Sequence, residues 1–223
     1  MKKLIILIIA VLGYSFSMSA TYEAKYGWFG TVAKAKGYFE KNATNYKITT
    51  SSQITKFIDF ENYHISQGII KNGILVPLIY KNIIIRDGTK YDLIYKFDYK
   101  NRKIYKLKYK NGKFIYKRVL DFFAKNDILS LYFNIPKIMK KNKETFKAIG
   151  GDRHTGRVDV EILLKGKITK IKANLYNKIF AGDRGILFLD INTSNWITLK
   201  GIVKNVLKIG DLKGKLVNFK QVP

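Results

Sequence analysis

The sequence predicts a mainly β protein, either an antiparallel β-barrel or a strongly curved half-barrel, with about ten to twelve strands and one amphipathic helix. Two observations carry this prediction. Runs in which bulky and polar residues alternate recur along most of the chain, separated by turn dipeptides such as Asp87-Gly88 and Asn111-Gly112. Only one stretch, after Arg118, changes to the spacing of a helix.

The chain begins with the pattern of a secretory signal peptide. Met1-Lys2-Lys3 is a basic start, and Leu4 to Leu12 is an uninterrupted apolar run that small residues follow. The run is shorter than the roughly 20 residues that a membrane-spanning helix needs. We therefore expect cleavage near Ser19 or Ala20 and a periplasmic protein. Residues 1–20 would be the signal peptide, and residues 21–223 would form a single β-barrel domain.

The composition limits what can stabilise the fold and which partners the protein can have. The chain has no Cys, so neither disulfides nor thiolate metal sites support the fold. Its formal net charge is +26, from 42 Lys and Arg against 16 Asp and Glu. One interpretation is attraction to an anionic membrane surface or another anionic partner. The other is codon bias, because Lys, Ile, Asn, Tyr and Phe are abundant together, and only six of the basic residues are Arg.

The first predicted strands lie before residue 90. Tyr22 to Trp28 and Thr31 to Glu40 form the first pair, and Tyr46 to Phe60 is a long run of β-forming residues that must bend or break. Leu75 to Tyr80 is a shorter strand, in which Pro77 disfavours a central position in the sheet.

The stretch from Tyr91 to Arg118 predicts a three-stranded antiparallel meander. Bulky residues recur at every second position of its first two runs, with Asp and Lys at most positions between them. The alternation predicts one aromatic face and one lysine face. We expect the aromatic face, with two helix residues, to line a ligand site: Tyr91, Leu93, Tyr95, Phe97, Tyr105, Leu107, Tyr109, Leu131 and Tyr132.

The helix is predicted from Asp127 to about Met139. Its apolar residues follow helical spacing, and Asn126 or Asp127 is suited to cap its first turn. Pro136 should kink or split the helix. Strands then resume, and the clean alternation from Val158 to Leu164 predicts one buried and one solvated face.

Catalytic and metal-binding motifs are absent from the sequence. The chain has two His, and neither stands in a hydrolase or metal-ligand pattern. Arg153 and His154, in a glycine-flanked loop, are candidates for contacting an anionic head group, or they belong to a hydrogen-bonded turn. We expect no enzyme activity, no cofactor and no metal. Nucleic-acid binding is disfavoured because the aromatic and lysine residues of the meander are predicted on opposite faces.

Several segments resemble an exported Gram-negative family catalogued as domain of unknown function 3108. They are Tyr22 to Gly37, Gln67-Gly68, Val76 to Tyr80, Lys96 to Tyr99, Asn126 to Phe133 and the strand after Gly156. The resemblance covers most of the chain after residue 21. It implies a β-barrel similar to lipocalins or to the half-barrel carriers of outer-membrane lipoproteins, and it implies no catalytic residues.

Two functions remain open at this point. The first is a periplasmic carrier that binds a hydrophobic or amphipathic, lipid-like molecule in a barrel cavity. The alternative is a non-enzymatic envelope structural or assembly factor with a filled core and a protein partner. They differ in whether the aromatic residues enclose a ligand or only pack against the helix.

Overall fold

The computed structural model describes residues 16–54, 59–150, 156–176, 185–206 and 210–222. The first eight strands in these ranges are β1 (Phe16–Tyr26), β2 (Thr31–Lys41), β3 (Asn45–Ile54), β4 (Phe60–Lys71), β5 (Ile74–Arg86), β6 (Thr89–Asp98), β7 (Lys103–Lys110) and β8 (Lys113–Val119). The helix α1 spans Ile128–Ile138, directly after the short β9 (Asn126–Asp127). The remaining strands are β10 (Lys143–Ile149), β11 (Arg157–Leu164), β12 (Ile168–Asn174), β13 (Ile186–Asn192), β14 (Ile197–Val206) and β15 (Gly210–Val222).

The strands form one long curved sheet that does not close. Its order is β8-β7-β6-β5-β4-β3-β2-β1-β15-β14-β13-β12-β11-β10-β9, and the pairing is antiparallel except between β9 and β10. Thus β1 and β15 meet in the middle of the sheet, and β8 and β9 lie at its two ends. The predicted fold class, a mainly β half-barrel with one helix, is confirmed.

The described ranges hold fifteen strands, more than the sequence predicted. One reason is that the predicted run from Tyr46 ends at Phe60, the first residue of β4, so the sequence did not predict β4 as a strand of its own. In the opposite sense, the segment predicted from Leu75 to Tyr80 is part of a longer strand, β5, that continues to Arg86. Alternating residues show that a segment is extended, but they do not show where the chain turns back.

Pro77 and Gly68 share an irregularity between β4 and β5. They are paired where the register shifts after Gln67, and β6 begins its pairing with β5 only at Ile79. A Cβ on Gly68 would lie 2.0 Å from the carbonyl oxygen of Val76, so the close approach of the two strands requires glycine. Pro77 therefore lies in β5 without removing a hydrogen bond to β6.

Helix α1 lies on the concave side of the sheet and joins its hydrophobic clusters. Leu131 and Ile135 are buried against residues of β10 to β13, while Leu129 and Phe133 pack against a cluster formed by β1, β2, β3, β5 and β14. Ile128 and Leu129 also contact the buried residues of the meander. One helix thus fills a sheet that is too open to bury its concave face by closing on itself.

The meander of β6, β7 and β8 is confirmed, but its single aromatic face is not. Four residues separate the paired Asp98 and Lys103, so odd positions in β6 oppose even positions in β7. Tyr95 is therefore paired with Lys106, and Tyr105 is paired with Lys96 on the opposite face. The alternation in each strand was interpreted correctly, but the turn determines which faces coincide.

Strand β1 begins inside the segment predicted as a signal peptide. Phe16 to Ala20 pair with β2, and Ser17 to Ala20 also pair with β15. Met18 and Ala20 are buried. The leader and its cleavage point stay predictions, but a cut after Ser19 or Ala20 would remove one end of this central strand.

Candidate functional site

A cavity of about 220 Å³ lies between helix α1 and the concave side of β1, β2, β3 and β14. Its apolar lining residues are Met18, Ala20, Phe39, Ile48, Leu129, Phe133 and Ile197. Its polar lining comes mainly from Tyr22, Thr50, Tyr132 and Thr198. The walls are thus mostly apolar, with a few hydroxyl groups, which is the composition typical of sites for small organic molecules.

The alternation of each strand brings these side chains to the same place. Ala20, Gly37 and Thr50 are directly paired across β1, β2 and β3, so they share the concave face. Ala20 and Gly37 are small, and they leave room beneath the helix. On the next row, Phe39 stacks on Phe133 of α1 with ring centres 4.7 Å apart, which closes one end of the cavity.

The first turn of α1 is held by a buried carboxylate. One oxygen of Asp127 accepts hydrogen bonds from the backbone N–H groups of Leu129 and Ser130, and the other accepts from Ser66 Oγ of β4 at 2.6 Å. Tyr46 Oη lies 3.0 Å from Ser66 Oγ and extends this network to β3. Burial raises the pKa of Asp127 to about 6. The predicted cap at Asp127 is confirmed, and it also fixes the helix to the sheet.

Asn134 holds the middle of α1 against β5. Its Oδ1 accepts from the backbone N–H of Leu75, and its Nδ2 donates to the carbonyl of the same residue at 2.8 Å. A neighbouring strand would make the same two bonds. Leu75 precedes Ile79, the residue at which β5 begins to pair with β6. The amide of Asn134 therefore takes the place of a strand on the side of β5 that faces away from β4.

Tyr132 fixes the opposite side of the helix to β14. Its hydroxyl donates to the carbonyl of Trp196 at 2.8 Å and lies 2.9 Å from Thr198 Oγ1. The indole Nε1–H of Trp196 donates back to the main-chain carbonyl of Tyr132 at 2.7 Å. That carbonyl has no helical partner because the residue four positions later is Pro136, which lacks an N–H. The helix continues through Pro136 to Ile138, so Pro136 does not split it.

A row of polar residues leads from the cavity across the concave face. Thr50, which lines the cavity, is paired with His64 of β4, and His64 is paired with Asn82 of β5. His64 Nδ1 lies 2.7 Å from Tyr80 Oη, and its Nε2 lies 3.0 Å from Asn62 Nδ2. Burial lowers the pKa of His64 to about 4, so the ring is neutral near pH 7.

Of the nine residues predicted to bind ligand, Tyr132 lines this cavity. Leu93, Tyr95 and Phe97 are buried in a cluster with Ala124 and Ile149, and Leu131 of α1 is buried against β10 to β13. Tyr91 shares their face, whereas Tyr105, Leu107 and Tyr109 lie on the other face of the meander. Arg153 and His154 lie outside the described residues. Ligand binding by these residues stays a prediction.

The cavity residues that sequence reasoning missed come from strands far apart in the chain. Met18 falls in the predicted leader, and Ile197 lies more than 170 positions away from it. Ordinary apolar residues at strand positions carry no signal that separates a cavity wall from a filled core. A helix residue such as Phe133 was easier to predict than these strand residues, because the helical spacing directs it toward the sheet.

Two further observations concern metal-ligand clusters and membrane-spanning helices. In the part of the chain that the structure describes, no three His, Asp or Glu side chains are grouped so that they could hold a metal ion. No helix in these ranges is both long and apolar enough to cross a membrane.

One comparison, with solved structures, supports the fold. The chain is similar to a beta-barrel-like protein of domain of unknown function DUF1849 from Brucella abortus, with a TM-score of 0.58 and 9% sequence identity. The match covers 92% of this chain and 98% of the other. No family model matches the sequence, and no curated protein does, so the resemblance to family 3108 is not confirmed. A β-barrel-like fold of a kind found in a family of unknown function is what the comparison shows.

Proposed function

We propose that this protein is a periplasmic, non-enzymatic carrier that binds a hydrophobic or amphipathic small molecule in the cavity beneath α1. The observation that carries the proposal is the mostly apolar cavity of about 220 Å³. A dry apolar cavity of about 150 Å³ is enough to bind benzene. The cavity therefore has room for one ring or a short alkyl segment, and a longer molecule would extend along the open concave face.

The way α1 is held supports a preformed site. Asp127 and Asn134 fix the helix to β4 and β5, and Tyr132 fixes it to β14 on the other side. A roof held on both sides keeps the walls apart without a ligand. Binding then costs little ordering of the protein, which favours affinity for a small molecule.

The polar groups in the wall favour an amphipathic ligand over a pure hydrocarbon. Thr50 and Tyr22 bring hydroxyl groups to the cavity, and Thr50 adjoins the row that continues to His64. The apolar part of the ligand would lie under α1, and its polar end would point toward this row. The basic start and apolar run of residues 1–12 support export, which would place the carrier in the periplasm.

The test is a binding titration with toluene and octanoate as probes. The protein has two Trp, and Trp28 is 88% exposed, so Trp28→Phe leaves Trp196 as the remaining reporter. Trp196 is hydrogen-bonded to Tyr132 in the cavity wall, so we expect saturable changes in its fluorescence and a higher melting temperature.

Gly37→Leu supplies the decisive variant. A Cβ at Gly37 meets no atom within 4 Å, so the new side chain has space to enter the cavity. We expect normal folding and at least about tenfold weaker binding, because the leucine occupies the space of the probe. Lys36→Leu, on the opposite face of the same strand, is the matched control and should bind as the parent does. Absence of saturable binding in the parent protein would reject the carrier and favour the envelope assembly alternative.

A further inference from the structure

The open end of the sheet at β7 and β8 carries a concentration of positive charge. Between Tyr99 and Leu120 the chain has nine Lys and Arg residues, of which Lys106 is buried, and no Asp or Glu. Over the whole chain, by contrast, 16 acidic residues accompany 42 basic ones. These two strands and their turns therefore attract anions more strongly than the overall composition implies.

The same end exposes large apolar side chains. Phe114 is 56% exposed, Ile115 is 52% exposed and Val119 is 48% exposed, all on the end strand β8. Ile115 lies where the register of β7 and β8 shifts. Exposed aromatic and aliphatic groups on a terminal strand are unfavourable in water unless another phase or molecule covers them.

Apolar and basic groups are interleaved on the outer face of this end. Phe114 contacts Tyr109 edge-on, with ring centres 5.6 Å apart. The ammonium of Lys117 lies 4.9 Å from the ring centre of Tyr105, on the same face. We call this outer face, with the exposed residues of β8, the β8 surface. It combines rings, aliphatic groups and ammonium groups within one hairpin.

We propose that the β8 surface docks on an anionic lipid bilayer. Lysines bind anionic head groups, and aromatic and aliphatic side chains enter the boundary between head groups and acyl chains. A nucleic acid would use the rings and the charge, but it offers no apolar phase for Ile115 and Val119. A lipid surface accounts for all three kinds of side chain, and it is independent of what the cavity holds.

Vesicle co-sedimentation tests this proposal. The exported protein is used after its amino terminus has been determined by mass, because the Leu4 to Leu12 run would itself bind lipid. Vesicles of phosphatidylcholine alone are compared with vesicles that contain phosphatidylglycerol. We expect binding to the anionic vesicles, weakened by salt, and little binding to the neutral ones.

Two variants separate the charge from the apolar contact. Lys113→Gln with Lys117→Gln should weaken binding by roughly 25-fold, at about fivefold for each lysine. Phe114→Ser with Ile115→Ser should weaken it by at least a similar factor. The matched controls are Lys213→Gln with Lys215→Gln, and Val217→Ser, which replace exposed residues of β15.

Several results would overturn the proposal. These are equal binding to neutral and anionic vesicles, equal losses in the β15 controls, or unchanged binding in either β8 variant. Tighter binding to single-stranded RNA than to vesicles would assign the surface to nucleic acid. The protein could instead form a dimer at high concentration. If Phe114→Ser with Ile115→Ser abolished that dimer, the β8 surface would be assigned to contact with a second copy of the chain.

Discussion

Trp196 and Tyr132 are joined by two reciprocal hydrogen bonds. The indole Nε1–H of Trp196 donates to the carbonyl of Tyr132 at 2.7 Å, and the hydroxyl of Tyr132 donates to the carbonyl of Trp196 at 2.8 Å. The first bond exists because Pro136 cannot supply the helical N–H to that carbonyl. A residue that weakens the helix locally thereby provides the acceptor that attaches the helix to β14.

This arrangement predicts a coupling between Trp196 and Pro136. Trp196→Phe should lower the free energy of unfolding by about 1–3 kcal/mol, because it leaves the carbonyl of Tyr132 without its donor. Pro136→Ala adds a backbone N–H that can bond the same carbonyl. In that background the cost of Trp196→Phe should fall by about 1 kcal/mol. Urea unfolding of the four proteins measures the coupling, and additive costs would contradict it. Trp28→Phe, at an exposed position, is the control.

A second prediction concerns the opposed titrations of Asp127 and His64. The folded pKa of Asp127 is about 6, above its usual 3.8, so ionisation of this group costs stability as pH rises from about 4 to about 6. The folded pKa of His64 is about 4, below its usual 6.5, so stability increases as pH rises from about 4 to about 6.5. Each effect amounts to at most about 3 kcal/mol, and the two nearly cancel.

Replacing one of these two residues should show how titration of the other changes the stability of the protein. Asp127→Asn keeps a capping side chain and should make stability rise with pH across this window, because His64 then acts alone. His64→Gln should make stability fall with rising pH, because Asp127 then acts alone. The double variant should be nearly flat, as the parent is. Urea unfolding at several pH values from about 4 to about 7 provides the measurement, and equal slopes in both single variants would contradict the assignment.

The third prediction concerns Asn134. Asn134→Ala leaves both buried backbone groups of Leu75 unpaired, so we expect the free energy of unfolding to fall by about 2–4 kcal/mol. Lys137→Ala is the matched control on the same helix. Its ammonium donates to the carbonyl of Gly73 at 2.6 Å, but the contact is exposed, and its loss should cost less than about 1 kcal/mol. Chemical denaturation compares them, and similar costs would show that Asn134 does not replace a strand.

The fourth prediction concerns the amino-terminal end of β1. A chain that starts at Phe16 keeps Met18 in its buried cluster, whereas a chain that starts at Thr21 loses Met18 and the first residue pairs of β1. We expect the shorter chain to be less stable by at least about 2 kcal/mol and to bind the cavity probes more weakly. Thermal unfolding of the two chains measures this. The mass of the exported protein then shows whether cleavage near Ser19 or Ala20 occurs, and equal stability would remove the structural objection to that position.

The sequence by itself determined the features that depend on neighbouring residues. Strand alternation identified the three strands from Thr89 to Val119, and helical spacing with a capping carboxylate identified the helix after Asp127. Both signals are local, because side-chain direction follows from the backbone geometry of a few consecutive residues. The mainly β class with one helix followed from the number of such segments.

The tertiary structure decided which faces coincide and where the chain leaves space. The four residues that separate Asp98 from Lys103 set the register that places Lys106, and not Tyr105, beside Tyr95. The cavity arises where Ala20 and Gly37 meet the helix, and these residues belong to strands that the sequence does not connect with α1. Registers and contacts over such distances depend on the packing of the whole sheet. For that reason the cavity beneath the helix, beside β1 and β14, could not be found from the sequence, while ligand binding at the meander stays a prediction.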